Sequence, residues 1–177
     1  MEVHAERTAI LNELDTLKIP YQYYEHDPAY TMEDCAAFDR KAGMEQDVAH
    51  CKNLFLTNRQ KTEFYLLVLA GDKPYRTGDF CRALSVSRLS FGPPEALEAL
   101  LRVHPGAVNP LSLLFDREHR VQLVCDAAMR SASALLFHPG ENTATVKLAP
   151  SDFFEGFLPA LGVVPVMMDV ENWKITE

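Results

Sequence analysis

A lysine and an asparagine stand at the entrance to an apolar run in the first third of the chain. Lys52 and Asn53 directly precede the run at 54–56, and a polar turn separates this run from a second one at 64–69. The pattern predicts a hairpin of strands that are buried on both faces. A lysine that flanks such a strand is commonly an exposed edge residue. A fixed ammonium could instead stabilise a phosphate or a developing negative charge, and the residue types alone leave both interpretations open.

The loop at 103–110, with the sequence VHPGAVNP, holds Gly106 between two prolines. Pro and Gly favour a tight turn, and such a turn can expose its main-chain N–H groups. Loops of this kind are usually simple connections. Bare amides that converge on one point, however, form a cradle for an oxyanion or another anionic group. Gly106 is therefore a candidate site residue through its backbone.

Two further stretches carry polar side chains beside predicted strands. The sequence FHPGENT at 137–143 places His138 at the root of a hairpin tip that also contains Asn142 and Thr143. The sequence RLSF at 88–91 brings Arg88 and Ser90 into a short strand before PPEAL. A histidine at a turn often only caps the turn by hydrogen bonding. Histidine is also the side chain that most readily gains or loses a proton near neutral pH. None of these stretches identifies a function by itself.

Several common kinds of active site are absent from the sequence. It contains no GxxxxGK[ST] or GxGxxG phosphate loop, no HExxH zinc motif and no GxSxG nucleophile elbow. We therefore expect neither a metal nor a cofactor. The four cysteines lack the close pairs of a zinc or redox site, and we predict free, buried thiols. Cys51 is the one candidate nucleophile, because a neighbouring ammonium lowers the pKa of a thiol.

Charge is distributed unevenly along the chain. The net charge of −8 argues against extensive nucleic-acid binding, yet residues 40–88 carry nine Lys and Arg against five Asp and Glu. This segment either binds an anionic ligand locally or forms an ordinary solvated surface. No apolar run has the length of a membrane span and the N-terminal residues do not resemble a signal peptide, so we expect a cytoplasmic protein.

The apolar periodicity predicts one α+β domain over residues 1–177, with 1–45 as an N-terminal extension packed on it. Hairpins are predicted at 52–70, 111–125 and 133–148. Helices are predicted at 5–17 and 31–41, at two further segments that begin at Thr77 and at Pro94, and at a last segment that ends at Gly162. Such a pattern is typical of a curved, mixed but mostly antiparallel sheet, or a barrel, with flanking helices. The first forty residues either lie over a pocket or complete the core, and we favour the second role.

Taken together and in this order, the polar stretches resemble the YbaK/ProX family of prolyl-tRNA editing proteins. The matching segments are KNLFL at 52–56, RLSF at 88–91 before PPEAL, HPGAVNPLSLLFD at 104–116 and FHPGENTATV at 137–146. With the opening EHDPAYTMED at 25–34, they are most similar to the freestanding branch called ProXp-ala or PrdX, which deacylates alanyl-tRNA(Pro). The resemblance covers essentially the whole chain.

The resemblance implies a compact YbaK-type fold with a curved mixed sheet and a pocket for the aminoacylated 3′ end of tRNA. Lys52 would then be the lysine that relatives need for activity. The backbone of Gly106 would help to bind the ester end, and His138 would be the histidine of the FHP motif. These three residues are the candidate catalytic residues.

The same resemblance supplies candidates for substrate binding. Asn53 matches the family residue that follows the lysine, and Arg88 falls where relatives contact the acceptor end of the tRNA. Ser90, Asn142 and Thr143 lie in the same matching segments. No metal site is implied.

The implied activity is hydrolysis of mischarged Ala-tRNA(Pro), which maintains the fidelity of translation. An aminoacyl ester is already activated, so its hydrolysis needs positioning and charge stabilisation more than a strong nucleophile. Lys52 would act either as a positively charged ammonium or as a base. Water or the terminal ribose hydroxyl would supply or guide the attack on the ester. Alternatives are a deacylase for Cys-tRNA(Pro) or another small aminoacyl-tRNA, and a non-catalytic module that binds a tRNA end or a synthetase. The expected partners are the 3′ end of tRNA(Pro) and prolyl-tRNA synthetase, with no DNA and no membrane.

Overall fold

The computed structural model describes residues 4–42, 48–71 and 73–176. The helices in these ranges are α1 (Ala5–Thr16), α2 (Met32–Ala42), α3 (Thr77–Leu84), α4 (Pro94–Leu101) and α5 (Leu158–Ala160), which continues a π-helical segment at Asp152–Phe157. The strands are β1 (Gln22–Glu25), β2 (Val48–Thr57), β3 (Phe64–Ala70), β4 (Ser90–Phe91), β5 (Val121–Asp126), β6 (Ala134–Phe137), β7 (Ala144–Leu148), β8 (Val166–Asp169) and β9 (Lys174–Thr176).

The strands form one mixed sheet in the order β1-β7-β6-β2-β3-β5-β8-β9, and β4 also pairs with β2. Three contacts are parallel, namely β2 with β6, β3 with β5 and β5 with β8, and the other five are antiparallel. The mixed α/β class predicted from the sequence is confirmed. Among the described strands no pairing joins β1 to β9, so the sheet is open rather than a closed barrel.

Two of the three predicted hairpins are confirmed, and one is wrong. Strands β2 and β3 pair antiparallel, as do β6 and β7. The segment Pro110–Phe115, predicted as a strand, is a 3-10 helix, and β5 pairs parallel with β3. This segment is helical because it carries the signals of a helix start. The Asn109 side chain accepts a hydrogen bond from the Ser112 amide, and Pro110 occupies the first helical position.

The sheet is buried on both faces, as the apolar runs predicted. On one face Phe55, Leu66 and Val68 pack in the larger core, which also contains Ile10 and Leu14 of α1. On the opposite face the neighbouring strand residues pack in a smaller core with Phe80 and Cys81 of α3. Helix α1 therefore contributes to the larger core.

Strand β2 has an open segment on one of its edges, and this segment positions the site. On that edge β6 pairs with β2 up to His50, and β4 pairs with it from Leu56 onward. Between these two points no described strand pairs with this edge, whereas β3 pairs with the other edge without interruption from Cys51 to Thr57. Lys52 and Asn53 lie within the open segment.

Candidate active site

A cavity of about 300 Å³ lies at the open segment of β2. Four parts of the chain enclose it: the turn before α2 with the first turn of that helix, strand β2, the loop that contains Gly106, and the adjoining ends of β6 and β7. Its walls are formed by Ala29, Tyr30, Thr31, Met32, Cys35, His50, Cys51, Lys52, Asn53, Gly106, Val108, Leu136, His138 and Thr145.

Lys52 gives this cavity a positive charge. It is half-buried, and it is the only Lys or Arg among the described residues that line the cavity, while none of them is Asp or Glu. Within the described ranges Lys52 forms no ion pair with a carboxylate. An ammonium without a fixed counter-ion in a partly desolvated cavity favours a negatively charged group, because opposite charges attract more strongly where water is excluded.

Asn53 offers main-chain and side-chain polar groups beside Lys52. In a strand, the N–H and C=O of one residue point to the same side and those of the next residue to the other side. The Gly92 amide donates to the Phe55 carbonyl at 2.8 Å, so the main-chain groups of Phe55, and by alternation those of Asn53, face the open edge. The side-chain Oδ1 of Asn53 is buried and has no hydrogen-bond partner among the described groups.

Gly106 lies in a tight turn whose backbone faces the cavity. The Ala107 amide donates to the His104 carbonyl at 3.0 Å, with Pro105 and Gly106 as the central residues. The φ of Gly106 is +93°, as a type II turn with Pro first and Gly second requires. A Cβ at this position would meet no atom within 4 Å. Glycine is therefore required here by the positive φ of the turn and not by close contact with a neighbouring atom.

Two amides of the same loop are available to a ligand. In the part of the chain that the structure describes, neither the Gly106 nor the Val108 N–H donates a hydrogen bond. Asn109 holds the loop in place, since its buried side chain donates to the Ala107 carbonyl at 3.0 Å and to Ser112 Oγ at 2.9 Å. The cradle of amides that the Pro–Gly spacing suggested stays a prediction, and these two amides are its candidates.

His138 lies on the cavity wall as a neutral hydrogen-bond acceptor. Its Nδ1 is 2.8 Å from the Ala144 carbonyl oxygen, which can only accept, so Nδ1 carries the proton and Nε2 keeps its lone pair. Burial lowers the pKa of His138, and the neighbouring His26 and His50 lower it further, against the opposing effect of the Ala144 hydrogen bond. The imidazole is therefore uncharged at neutral pH.

Sequence reasoning missed His50, which lies on the cavity wall. His50 lies two residues before Lys52, on the same side of β2, and its Nε2 pairs with Asp39 Oδ2 of α2 at 2.5 Å. The period of two along a strand was the signal that could have identified His50. The turn before α2 also forms part of the wall, because residues 29–32 line the cavity. Of the two roles left open for the first forty residues, a position over a pocket was the one not favoured from the sequence.

The structure separates the predicted substrate-binding residues into four places. Asn53 lies in the cavity with Lys52. Arg88 and Ser90 are exposed near β4, and Ser90 pairs with Thr57, five residues along β2 from Lys52. Asn142 lines a neighbouring groove of about 980 Å³. Thr143 lies beside the cavity, where its carbonyl accepts a hydrogen bond from the His26 amide at 3.0 Å.

The cysteines do not form a nucleophilic site. All four are free, and Cys51 lies in the cavity wall. Burial raises the pKa of the Cys51 thiol far above its ordinary value, and the charge of Asp126 adds to this effect. The thiolate is therefore disfavoured, contrary to the lowering expected from the neighbouring lysine. Within the described ranges no group of three His, Cys, Asp or Glu side chains could hold a metal ion.

Comparison with known proteins identifies the family. The model of the aminoacyl-tRNA editing domain matches residues 26–156. The chain belongs to this family. The editing domain is 33% identical over 152 residues to the prolyl-tRNA editing protein ProX of Acetoanaerobium sticklandii, covering 86% of this chain and 90% of that protein. It is 30% identical over 169 residues to the prolyl-tRNA synthetase associated domain-containing protein 1 of Mus musculus, covering 93% and 96%.

Solved structures share the fold of this editing domain. One, described as a candidate trans-editing enzyme for prolyl-tRNA synthetase, superposes with a TM-score of 0.68 at 15% identity and covers 97% of each chain. The resemblance inferred from the sequence is thus confirmed, and the family is one of aminoacyl-tRNA deacylases, which hydrolyse an ester bond. None of the described helices of the editing domain has the length and apolar character of a membrane span.

Proposed function

We propose that this editing domain hydrolyses mischarged Ala-tRNA(Pro) in trans, as a freestanding deacylase that maintains the fidelity of proline decoding. The observation that carries the proposal is Lys52, the one Lys or Arg among the described residues that line a small cavity, which Gly106 and Val108 of the amide-bearing loop also line. The names of two relatives, a prolyl-tRNA editing protein and a prolyl-tRNA synthetase associated protein, support tRNA(Pro) as the carrier and the synthetase as a partner. We expect neither a metal nor a cofactor in the reaction.

The proposed reaction needs charge stabilisation and positioning. Water adds to the ester carbonyl carbon, the carbonyl oxygen becomes negative, and the bond to the terminal ribose oxygen then breaks. That oxygen takes up a proton that the added water gives up, and alanine and tRNA with a free terminal hydroxyl are the products. Lys52 and the amides of Gly106 and Val108 stabilise the negative oxygen or the adjacent phosphate. Removal of one such donor in an enzyme of this type commonly lowers the rate by about 100- to 1,000-fold.

His138 and Asn53 complete the proposed reaction site. The neutral Nε2 of His138 accepts a hydrogen bond from the attacking water or from the substrate amino group. Asn53 contributes the buried Oδ1, which has no partner among the described protein groups, and a main-chain amide at the open edge of β2. Both residues orient the ester without supplying a nucleophile, because an activated ester does not require one.

The dimensions of the cavity support a small aminoacyl group. About 300 Å³ lies at the lower end of ligand-pocket volumes, and Met32, Cys35 and Leu136 form apolar parts of its wall. A synthetase site that accepts proline rejects a smaller side chain by only about 1–3 kcal/mol for each missing methylene. We propose that the part of this cavity that receives the aminoacyl side chain is too small for proline, so that alanine is removed and proline is spared.

The exposed candidates are proposed to contact the tRNA outside the cavity. Arg88 and Ser90 lie on the surface near β4, where Arg88 can pair with a phosphate of the acceptor end. Asn142 and Thr143 lie at the tip of the β6–β7 hairpin, beside the cavity, and are proposed to position the terminal nucleotide.

A deacylation panel tests the proposed substrate. The purified protein is incubated with tRNA(Pro) charged with Ala, Cys, Ser or Pro, and the release of labelled amino acid is measured. We expect the highest kcat/KM with Ala-tRNA(Pro) and none above background with Pro-tRNA(Pro). Faster hydrolysis of Cys-tRNA(Pro) would instead identify a cysteinyl-tRNA deacylase. Binding of all four without hydrolysis would identify a non-catalytic module.

A further inference from the structure

Tyr30 is an exposed aromatic residue at the mouth of the cavity. Its relative exposure is 80%, which is unusual for a large aromatic side chain. Tyr30 and Gly106 line both the small cavity that contains Lys52 and the neighbouring groove of about 980 Å³. These two residues therefore form the boundary between a small, positively charged cavity and a larger open groove.

The backbone around Tyr30 is fixed before any ligand binds. Asp34 Oδ2 accepts hydrogen bonds from the Tyr30 amide at 2.9 Å and from the Thr31 amide at 3.0 Å. The Asp34 amide donates in turn to Thr31 Oγ1 at 3.1 Å, which completes a capping box at the start of α2. Because the turn is held by these bonds, a ligand that contacts the ring loses little affinity to ordering of the backbone.

The charge of the groove favours a neutral ligand. Three carboxylates line it, of which Glu141 is paired with Arg7, while Glu6 and Glu98 face one cation, Arg102. Phosphate groups are disfavoured in such surroundings, whereas a flat, uncharged ring that stacks on an aromatic side chain is not. An exposed tyrosine is the kind of side chain on which proteins that bind single-stranded nucleic acids stack a base.

We propose that Tyr30 is the stacking platform for the terminal, unpaired nucleobase of the aminoacyl-tRNA. The proposal rests on the proposed function, because it assumes that the ester carbonyl lies in the cavity beside Lys52. The ester oxygen belongs to the terminal ribose, so the base on that ribose must lie just outside the cavity. Tyr30 and Gly106 occupy that boundary, and the groove beyond them receives the base.

A cycle of two changes tests the stacking contact. Base stacking on an aromatic side chain corresponds to about 5- to 150-fold in affinity. We expect Tyr30→Ala to raise KM for Ala-tRNA(Pro) by about tenfold with little change in kcat, and Tyr30→Phe to behave like the original protein. With an Ala-tRNA(Pro) whose terminal nucleotide keeps its ribose but lacks its base, Tyr30→Ala should no longer raise KM. An equal rise of KM with both substrates, or no rise with either, would overturn the proposal.

A binding measurement tests the same contact without catalysis. In the Tyr30→Trp variant, adenosine is expected to quench the fluorescence of the new indole by stacking on it. The Val164→Trp variant is the matched control, because Val164 is 82% exposed and lines neither the cavity nor the groove. Quenching in Tyr30→Trp alone would support the stacking contact. If the original protein at the same time fails to hydrolyse Ala-tRNA(Pro), the stacking contact stands and the proposed reaction is rejected. Equal responses of the two variants would reject the stacking contact.

Discussion

His138 illustrates how one buried side chain links the site to the stability of the fold. Its Nδ1–H is committed to the Ala144 carbonyl, and burial keeps the imidazole uncharged. The same desolvation that leaves Nε2 as an acceptor in the cavity makes protonation of the folded protein costly. Desolvation of His138 is thus the common cause of the free lone pair on Nε2 and of the expected loss of stability in acid.

His138 should make the folded protein less stable in acid. Its folded-state pKa lies below the ordinary value of 6.5, so on acidification the unfolded chain binds the proton first. The stabilising contribution is present above pH 6.5 and is lost as the pH falls through the folded-state pKa. In His138→Asn, whose amide can still donate to the Ala144 carbonyl, the unfolding free energy should fall less between pH 7.5 and pH 5 than it does in the original protein. Urea titrations followed by circular dichroism measure this difference, and identical pH dependence would contradict the assignment.

At the scale of elements, helix α2 is tied to the sheet through one ion pair that lies at the cavity. Asp39 of α2 pairs with His50 of β2, and the two side chains are only 18% and 14% exposed. Met32 and Cys35 at the start of the same helix form part of the cavity wall. The pair therefore couples the position of that wall to strand β2, which also carries Lys52.

Loss of this ion pair should weaken both the fold and the binding of substrate. We expect Asp39→Ala to lower the free energy of unfolding by about 1–3 kcal/mol, because it leaves a largely buried His50 nitrogen without its acceptor. KM for aminoacyl-tRNA should rise, because the α2 wall is less firmly held. Denaturant unfolding and deacylation kinetics measure the two effects.

Asp79→Ala is the matched control for this prediction. Asp79 pairs with Arg82 and Arg76, whose side chains are 78% and 68% exposed, and surface pairs contribute little. Its removal should change the free energy of unfolding by less than about 0.5 kcal/mol. Equal effects of the two alanine variants would show that the Asp39–His50 contact has no special role.

The elements that the sequence predicts well are those with local signals. The capping box of Thr31 and Asp34 and the alternating runs of the β2–β3 and β6–β7 hairpins all depend on residues that are close in sequence. The segment Pro110–Phe115 was mistaken for a strand because a short apolar run does not distinguish strand from helix. The Asn109 side chain caps this segment by accepting a hydrogen bond from the Ser112 amide, and this favours the helix. The three-residue spacing between Asn109 and Ser112 could have been recognised in the sequence as a helix-start signal.

Parts of the site depend on contacts between distant segments and could not be read from the chain. The parallel pairing of β2 with β6 joins residues more than eighty positions apart, and only its end at His50 creates the open edge beside Lys52. The contribution of the turn before α2 to the cavity is of the same kind. The types of Lys52, Gly106 and His138 suggested chemistry, but the structure is what brings them to one cavity.

For the whole molecule, the net charge of −8 conceals a local arrangement that suits an anionic substrate. Several cations of the basic segment at 40–88 have acidic partners, such as Lys73 with Asp126 and Arg82 with Asp79. Lys52 instead faces a cavity that no described carboxylate lines. An acidic protein can thus bind one end of a polyanion through a few placed cations while the rest of its surface repels it.

The most direct measurement is the rate at which Lys52→Met releases alanine from Ala-tRNA(Pro). Methionine keeps most of the apolar stem of lysine and removes the charge, so the fold should remain intact. We expect kcat/KM to fall by about 100-fold or more, whereas Lys174→Met, the same change at an exposed position of β9, should leave it unchanged. Activity in Lys52→Met equal to that of the original protein would contradict the central role of the ammonium in the cavity.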